Sequence, residues 1–142
     1  MHKPSSLVFV MLIVVTCFSQ RLINKSPKKV SKILAEVYRE KSIRTSIEQT
    51  DSSISFLVRN PKVQNLTIQL HFDQKGKCDK ERYLFSCYSC YINFLNEVLN
   101  NKRYDWTRVN EHTYFSMLPH KLFLSIEPRT SFAYSIKRSN LK

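Results

Sequence analysis

The apolar positions of this chain change period several times, and each change marks an element. Val30, Ile33, Leu34, Val37 and Tyr38 recur at helical spacing behind Ser26 and Pro27. A serine hydroxyl suits an N-cap, and proline suits the first helical position, where its missing donor is no loss. The spacing predicts an amphipathic helix over 27–41. Ile54, Phe56 and Val58 then alternate with polar neighbours, and Leu66, Ile68, Leu70 and Phe72 alternate with Asn65, Thr67, Gln69 and His71. Period two means a strand with one buried face. Arg59-Asn60-Pro61-Lys62 supplies turn residues between the two, so they read as a hairpin. The charged run from Asp73 to Lys80 reads as a loop.

Helical spacing returns at Tyr91, Phe94, Leu95, Val98 and Leu99, and Asn100 to Arg103 suit its end. Two starts are open: Asp79 capping a long helix, or Ser86 capping a shorter one after a strand from Tyr83 to Phe85. Leu122, Leu124 and Ile126, then Phe132, Tyr134 and Ile136, alternate around Glu127-Pro128-Arg129-Thr130, a second hairpin. Between them, Tyr104 to Pro119 holds no single period. Helix, hairpin, helix, hairpin predicts the α+β class: a small single domain whose antiparallel sheet of hairpins is packed by two amphipathic helices.

The N-terminus adds a compartment. Lys3 precedes an apolar run from Leu7 to Phe18, followed by Ser19, which is the layout of a cleaved secretory signal peptide. The run is shorter than the roughly 20 apolar residues a spanning helix needs, so no transmembrane span is expected. The expected organisation is a signal peptide over 1–19, one secreted domain over 20–136 and a frayed basic tail over 137–142. No internal repeat is visible.

Charge changes the picture most. The chain carries 23 Lys and Arg against 11 Asp and Glu, a net charge of +12, of which the leader removes only Lys3. Such an excess favours acidic partners. Basic residues cluster at Lys25, Lys28, Lys29 and Lys32, at Lys75, Lys77, Lys80 and Arg82, at Lys102 and Arg103, and at Lys137, Arg138 and Lys142. Lys28, Lys29 and Lys32 share the polar face of the first helix and are the expected polyanion-binding residues. A secreted chain does not meet intracellular nucleic acid. Gly76 is the only glycine, which argues against glycine-rich nucleotide or phosphate loops, and no cofactor is expected. Asn65-Leu66-Thr67 and Asn24-Lys25-Ser26 are N-glycosylation sequons.

Without the leader, three cysteines remain: Cys78, Cys87 and Cys90. A bridge from Cys78 to Cys87 requires that the residues between them are not helical, because a helix would hold the two Cα atoms roughly 13 Å apart, beyond the limit near 7 Å. That bridge is expected, with the shorter helix beginning near Ser86. It leaves Cys90 as the odd thiol, reduced or joined to a second chain in a disulfide-linked dimer.

Cys87-Tyr88-Ser89-Cys90, with a strand before it and a helix after, resembles the motif of thioredoxin, which would make Cys87 an attacking thiolate. Leu118-Pro119 before the strand at Leu122 resembles the proline opposite that family's cysteines, although no closing C-terminal helix follows. A helix leading into antiparallel hairpins is similar to the cystatin-like fold of protease inhibitors; the Gln-x-Val-x-Gly hairpin of that family is absent. His71, His112 and His120 invite comparison with secreted ribonucleases, and His112 or His120 could add a fourth zinc ligand to the three cysteines, but the spacing is loose and no metal site is expected. The expected function is a secreted, non-enzymatic binding protein that recognises an extracellular protein partner or a sulfated glycan. The alternatives are a thiol–disulfide redox protein, a cystatin-like inhibitor and a cytokine-like signalling factor.

Overall fold

A computed structural model describes residues 22–39, 43–59, 65–117, 120–128 and 131–140. The leader expected over 1–19 and the turn at Asn60-Pro61-Lys62 lie outside them. Helix α1 spans Pro27–Val37. Ser26 caps it, its Oγ accepting from the Lys29 N–H at 3.4 Å, and Pro27 opens it. Strands β1 (Arg44–Gln49), β2 (Ser53–Arg59), β3 (Asn65–Phe72) and β4 (Cys78–Phe85) follow. Helix α2 (Tyr88–Asn100) precedes β5 (Thr107–Asn110), β6 (Thr113–Ser116), β7 (Leu122–Ile126) and β8 (Ala133–Arg138).

The eight strands form one sheet in the order β1-β2-β3-β4-β8-β7-β6-β5, each neighbour antiparallel. The architecture is therefore a helix followed by a four-stranded meander, made twice, with the last strand of one half paired to the last strand of the other. Register carries one face through the sheet: Phe56 lies opposite Ile68, Ile68 opposite Tyr83, Tyr83 opposite Tyr134, and Tyr134 opposite Ile126. Both helices cover this face. Tyr38 at the end of α1 lies against Phe56, and Tyr91 and Phe94 of α2 lie against Phe85. Val30, Leu34, Leu95 and Val98 complete the same core. The other face carries Gln69, His71, Lys80, Arg82, Ser125 and Lys137, and no described helix covers it. None of the described helices is long and apolar enough to cross a membrane.

This overturns the α+β domain of two hairpins. Four of the eight strands, β1, β4, β5 and β6, lie where the pattern gave no complete strand, and they merge the hairpins into one sheet that dominates the fold. Strand β1 is exposed along its whole length, so it has no buried face to leave a period-two trace. Strand β4 takes up Cys78, Asp79 and Lys80, the last part of the expected loop, and buries Glu81 completely. The turn itself shrinks to the residues around Gly76, whose φ of +69° needs a residue tolerant of the left-handed region. Helix α1 ends at Val37 rather than Lys41. Cys87, not Ser86, caps α2, while the Ser86 hydroxyl accepts from the Asn65 N–H at 3.1 Å. Lys137 and Arg138 are not a frayed tail: both belong to β8.

Candidate functional site

The strands have two ends; the lysine clusters gather at one of them, and Arg44 and Arg59 face each other at the other. Asn24 turns the chain ahead of α1 with a φ of +67°, a conformation Asn tolerates better than most residues. Its N–H donates to the Cys78 carbonyl at 2.8 Å, and the Cys78 N–H donates to the Lys25 carbonyl at 2.9 Å. These two bonds tie the start of α1 to the start of β4. Arg138, at the end of β8, closes the arrangement by donating to Asn24 Oδ1 at 2.6 Å and to Asp73 Oδ2 at 2.7 Å.

The lysines of α1, those of the β3–β4 turn and those of β8 therefore share one end. The Ser139 N–H donates to the Lys121 carbonyl at 2.7 Å, which adds Lys121. The Ser116 hydroxyl donates to the Tyr104 carbonyl, which sets the Lys102–Arg103 turn beside the end of β6. That strand end is in register with Leu122, and Leu122 with Arg138.

Of the acids at this end, Asp73 and Asp79 are occupied by the fold, while Asp51 and Asp105 are exposed. Asp73 Oδ1 accepts from the N–H groups of Lys75 and Lys77, each at 2.9 Å. With Arg138 on its other oxygen, its carboxyl is held below the usual range. Asp79 pairs with His71 Nδ1 at 2.6 Å. By contrast Lys28, Lys29, Lys32, Lys75, Lys77, Lys80 and Lys137 are exposed and form no ion pair among the described residues. Lys80 lies directly opposite Lys137. Like charges in that position are destabilising. Helix α1 has no acid in its first turn, so Lys28 and Lys29 stand at the positive end of its dipole, a further cost of about 0.3–1 kcal/mol for each. The result is a surface where exposed lysines outnumber the free acids.

Two arginines counted among the basic clusters do not belong to this free charge. Arg82 grips Glu127 with Nε and Nη2 and Gln69 Oε1 with Nη1 at 2.7 Å, a polar clasp across the open sheet face. Arg138 is held internally, as above. Of the partners that hold them, Gln69 lies in β3, whereas Glu127, Asn24 and Asp73 lie outside the strands.

The expected Cys78–Cys87 bridge is also corrected. The residues between them are not helical, as the bridge required, but they are strand β4, which is longer still. Seven extended steps at about 3.3 Å each separate Cys78 from Phe85 by roughly 23 Å, against the limit near 7 Å. Cys78 is fully buried, its thiol is pushed far up by burial, and its Sγ donates to the Lys80 carbonyl at 3.7 Å. Cys87 and Cys90 instead meet at the opposite end of the sheet, Sγ to Sγ 2.7 Å. No sulfur pair among the described residues is at bonding distance. Asn65 is exposed at that same end.

The three histidines do not converge. His71 lies near the basic end of β3, whereas His112 lies in the β5–β6 turn at the other end of the strands. Among the described residues no three His, Cys, Asp or Glu side chains group as metal ligands. No protein-family model, curated protein or solved structure matches the chain.

Proposed function

We propose that this chain is a secreted binding protein that holds an extended polyanion of the sulfated-glycan class at the cationic end of its sheet. One observation carries the reading. The paired backbone bonds between Asn24, Lys25 and Cys78 join the lysines of α1 to those of the β3–β4 turn, clusters more than forty positions apart in sequence. A scattered excess of charge would be only solubilising. A charge gathered at one end, with Asp73 and Asp79 already engaged and Lys80 left facing Lys137, adds its fields and attracts a charged polymer.

Binding of this kind releases counterions and weakens steeply with salt. The test is heparin affinity of the secreted protein as a function of salt, for wild type and two triple variants. Lys28, Lys29 and Lys32 become Ala in one, and Lys75, Lys77 and Lys80 become Ala in the other. Each lost contact should lower the logarithmic salt slope by roughly one, and both variants should elute earlier while unfolding as wild type does. A wild-type protein that passes through heparin at physiological salt, or variants that elute unchanged, would reject the site. Retention of an acidic protein but not of heparin would reassign the surface to a protein partner.

A further inference from the structure

The end of the sheet opposite the lysines carries a different chemistry. Cys87 is the N-cap of α2, and its Sγ accepts from the Cys90 N–H at 3.3 Å. The Cys90 Sγ lies 2.7 Å away and the Ser89 Oγ 3.0 Å away. Thus the sulfur sits where a helix offers unsatisfied N–H groups and the positive end of its dipole, a setting that stabilises a thiolate. Its hydrogen bonds from Cys90 and Ser89 bring the thiol down to about 7. Cys78, buried at the far end of β4, has none of these features.

Beside the sulfurs lie two large aromatic side chains that the core does not use. Tyr88, the next residue, is 60 % exposed, and Phe132, ahead of β8, is 36 % exposed. Their rings meet edge to face at 5.6 Å, and Phe132 stacks on Tyr91 at 6.3 Å. The Phe132 carbonyl is fixed by the Phe85 N–H at 2.9 Å. A paired aromatic surface, one ring on the first residue of α2 and the other just ahead of β8, next to a nucleophile, fits the side chains that flank a disulfide in a protein or peptide.

We propose that Cys87 and Cys90 are a redox-active pair that exchanges with disulfides of protein substrates docked on Tyr88 and Phe132. In the reduced form the Cys87 thiolate attacks one sulfur of the substrate disulfide. That S–S bond breaks, the departing sulfur leaves as a thiolate and takes a proton from solvent, and a mixed disulfide forms on Cys87. Cys90, its proton lost to solvent, then attacks the Cys87 sulfur and expels the second substrate thiolate, which is protonated in turn. Two electrons pass to the substrate, and the pair becomes a disulfide; the reverse sequence oxidises a substrate dithiol. The proximity of the two sulfurs makes the second step intramolecular.

The test uses the full secreted protein with insulin as the disulfide substrate and dithiothreitol as the reductant. Cys90→Ser should accumulate a mixed disulfide with insulin at Cys87, detected by mass, because the resolving thiol is gone. Cys87→Ser should form none, and serine, itself a good N-cap, keeps α2 capped, which circular dichroism confirms. Cys78→Ser should leave exchange unchanged. Tyr88→Ser should slow exchange with insulin several-fold while leaving reaction with oxidised glutathione unaltered. The proposal is overturned if Cys90→Ser yields no mixed disulfide while folded, or if wild type holds a Cys87–Cys90 bridge that dithiothreitol does not open. Linkage of two copies through Cys90 as the sole oxidised product would overturn it too.

Discussion

Tyr83 of β4 and Tyr134 of β8 lie directly opposite each other, their rings stacked 5.2 Å apart at 19°. They are the seam of the protein, because the β4–β8 pairing joins its two helix-and-meander halves. Both are almost wholly buried.

Loss of this contact should therefore unfold both halves together. Tyr134→Ala removes a large core ring and should cost about 3–5 kcal/mol, read as a lower midpoint in urea. Tyr83→Phe keeps the ring but deletes the hydroxyl that donates to Glu81 Oε2 at 3.0 Å. It should cost about 1–3 kcal/mol. A Tyr134→Ala protein as stable as wild type would mean that the halves do not depend on the seam.

Glu81 beneath these rings gives a signature in pH. It is completely buried, its Oε1 has no partner among the described residues, and burial holds its carboxyl well above the usual range. The unfolded chain releases this proton near pH 4.3, whereas the folded chain retains it. The stability from the neutral acid is complete below that value and is lost as pH rises toward the folded one. Glu97, raised by the same cause, acts in the same direction. Urea unfolding between pH 5 and 8 should show stability falling with pH, and Glu81→Gln should make that slope shallower. Equal slopes in the two proteins would place the buried charge elsewhere.

Asp73 works in the opposite direction. Its carboxyl is lowered chiefly by the hydrogen bond from Arg138, so the stability it confers is present above the unfolded value near 3.9 and fades as pH falls through the folded one. Arg138→Ala should lower the thermal midpoint at pH 6, and the gap to wild type should narrow between pH 5 and 2. A gap independent of pH would leave only the bond to Asn24 as the contribution of Arg138.

The two sequons should behave differently. Asn65 is exposed at the start of β3 with its N–H taken by Ser86. Asn24 is half-buried, and its side-chain oxygen receives Arg138. Expression through a secretory pathway should attach a glycan at Asn65: Asn65→Gln should abolish the mass lost on deglycosylation, while Asn24→Gln should preserve it and lower the thermal midpoint. The reverse pattern would contradict the assignment.

Wherever a residue's fate depended on its near neighbours, the sequence determined it. Ser26 and Pro27 start α1, and the alternating Leu66, Ile68, Leu70 and Phe72 make β3, because caps and periodicity are local. The excess of lysine was equally plain. The tertiary structure decided the rest. Asp79 and Lys80 read as the end of a loop, and Glu81 and Arg82 fit no apolar period, until β3 and β8 flank them and give each charge a place: Glu81 inward beneath Tyr83, Arg82 outward onto Glu127. Which cysteines meet was decided by the length of β4, which carries Cys87 away from Cys78 and leaves it to Cys90 across the first turn of α2. The gathering of the lysines at one end was decided the same way, by backbone bonds from Asn24 and Lys25 to Cys78, since long-range pairing leaves no trace in local periodicity.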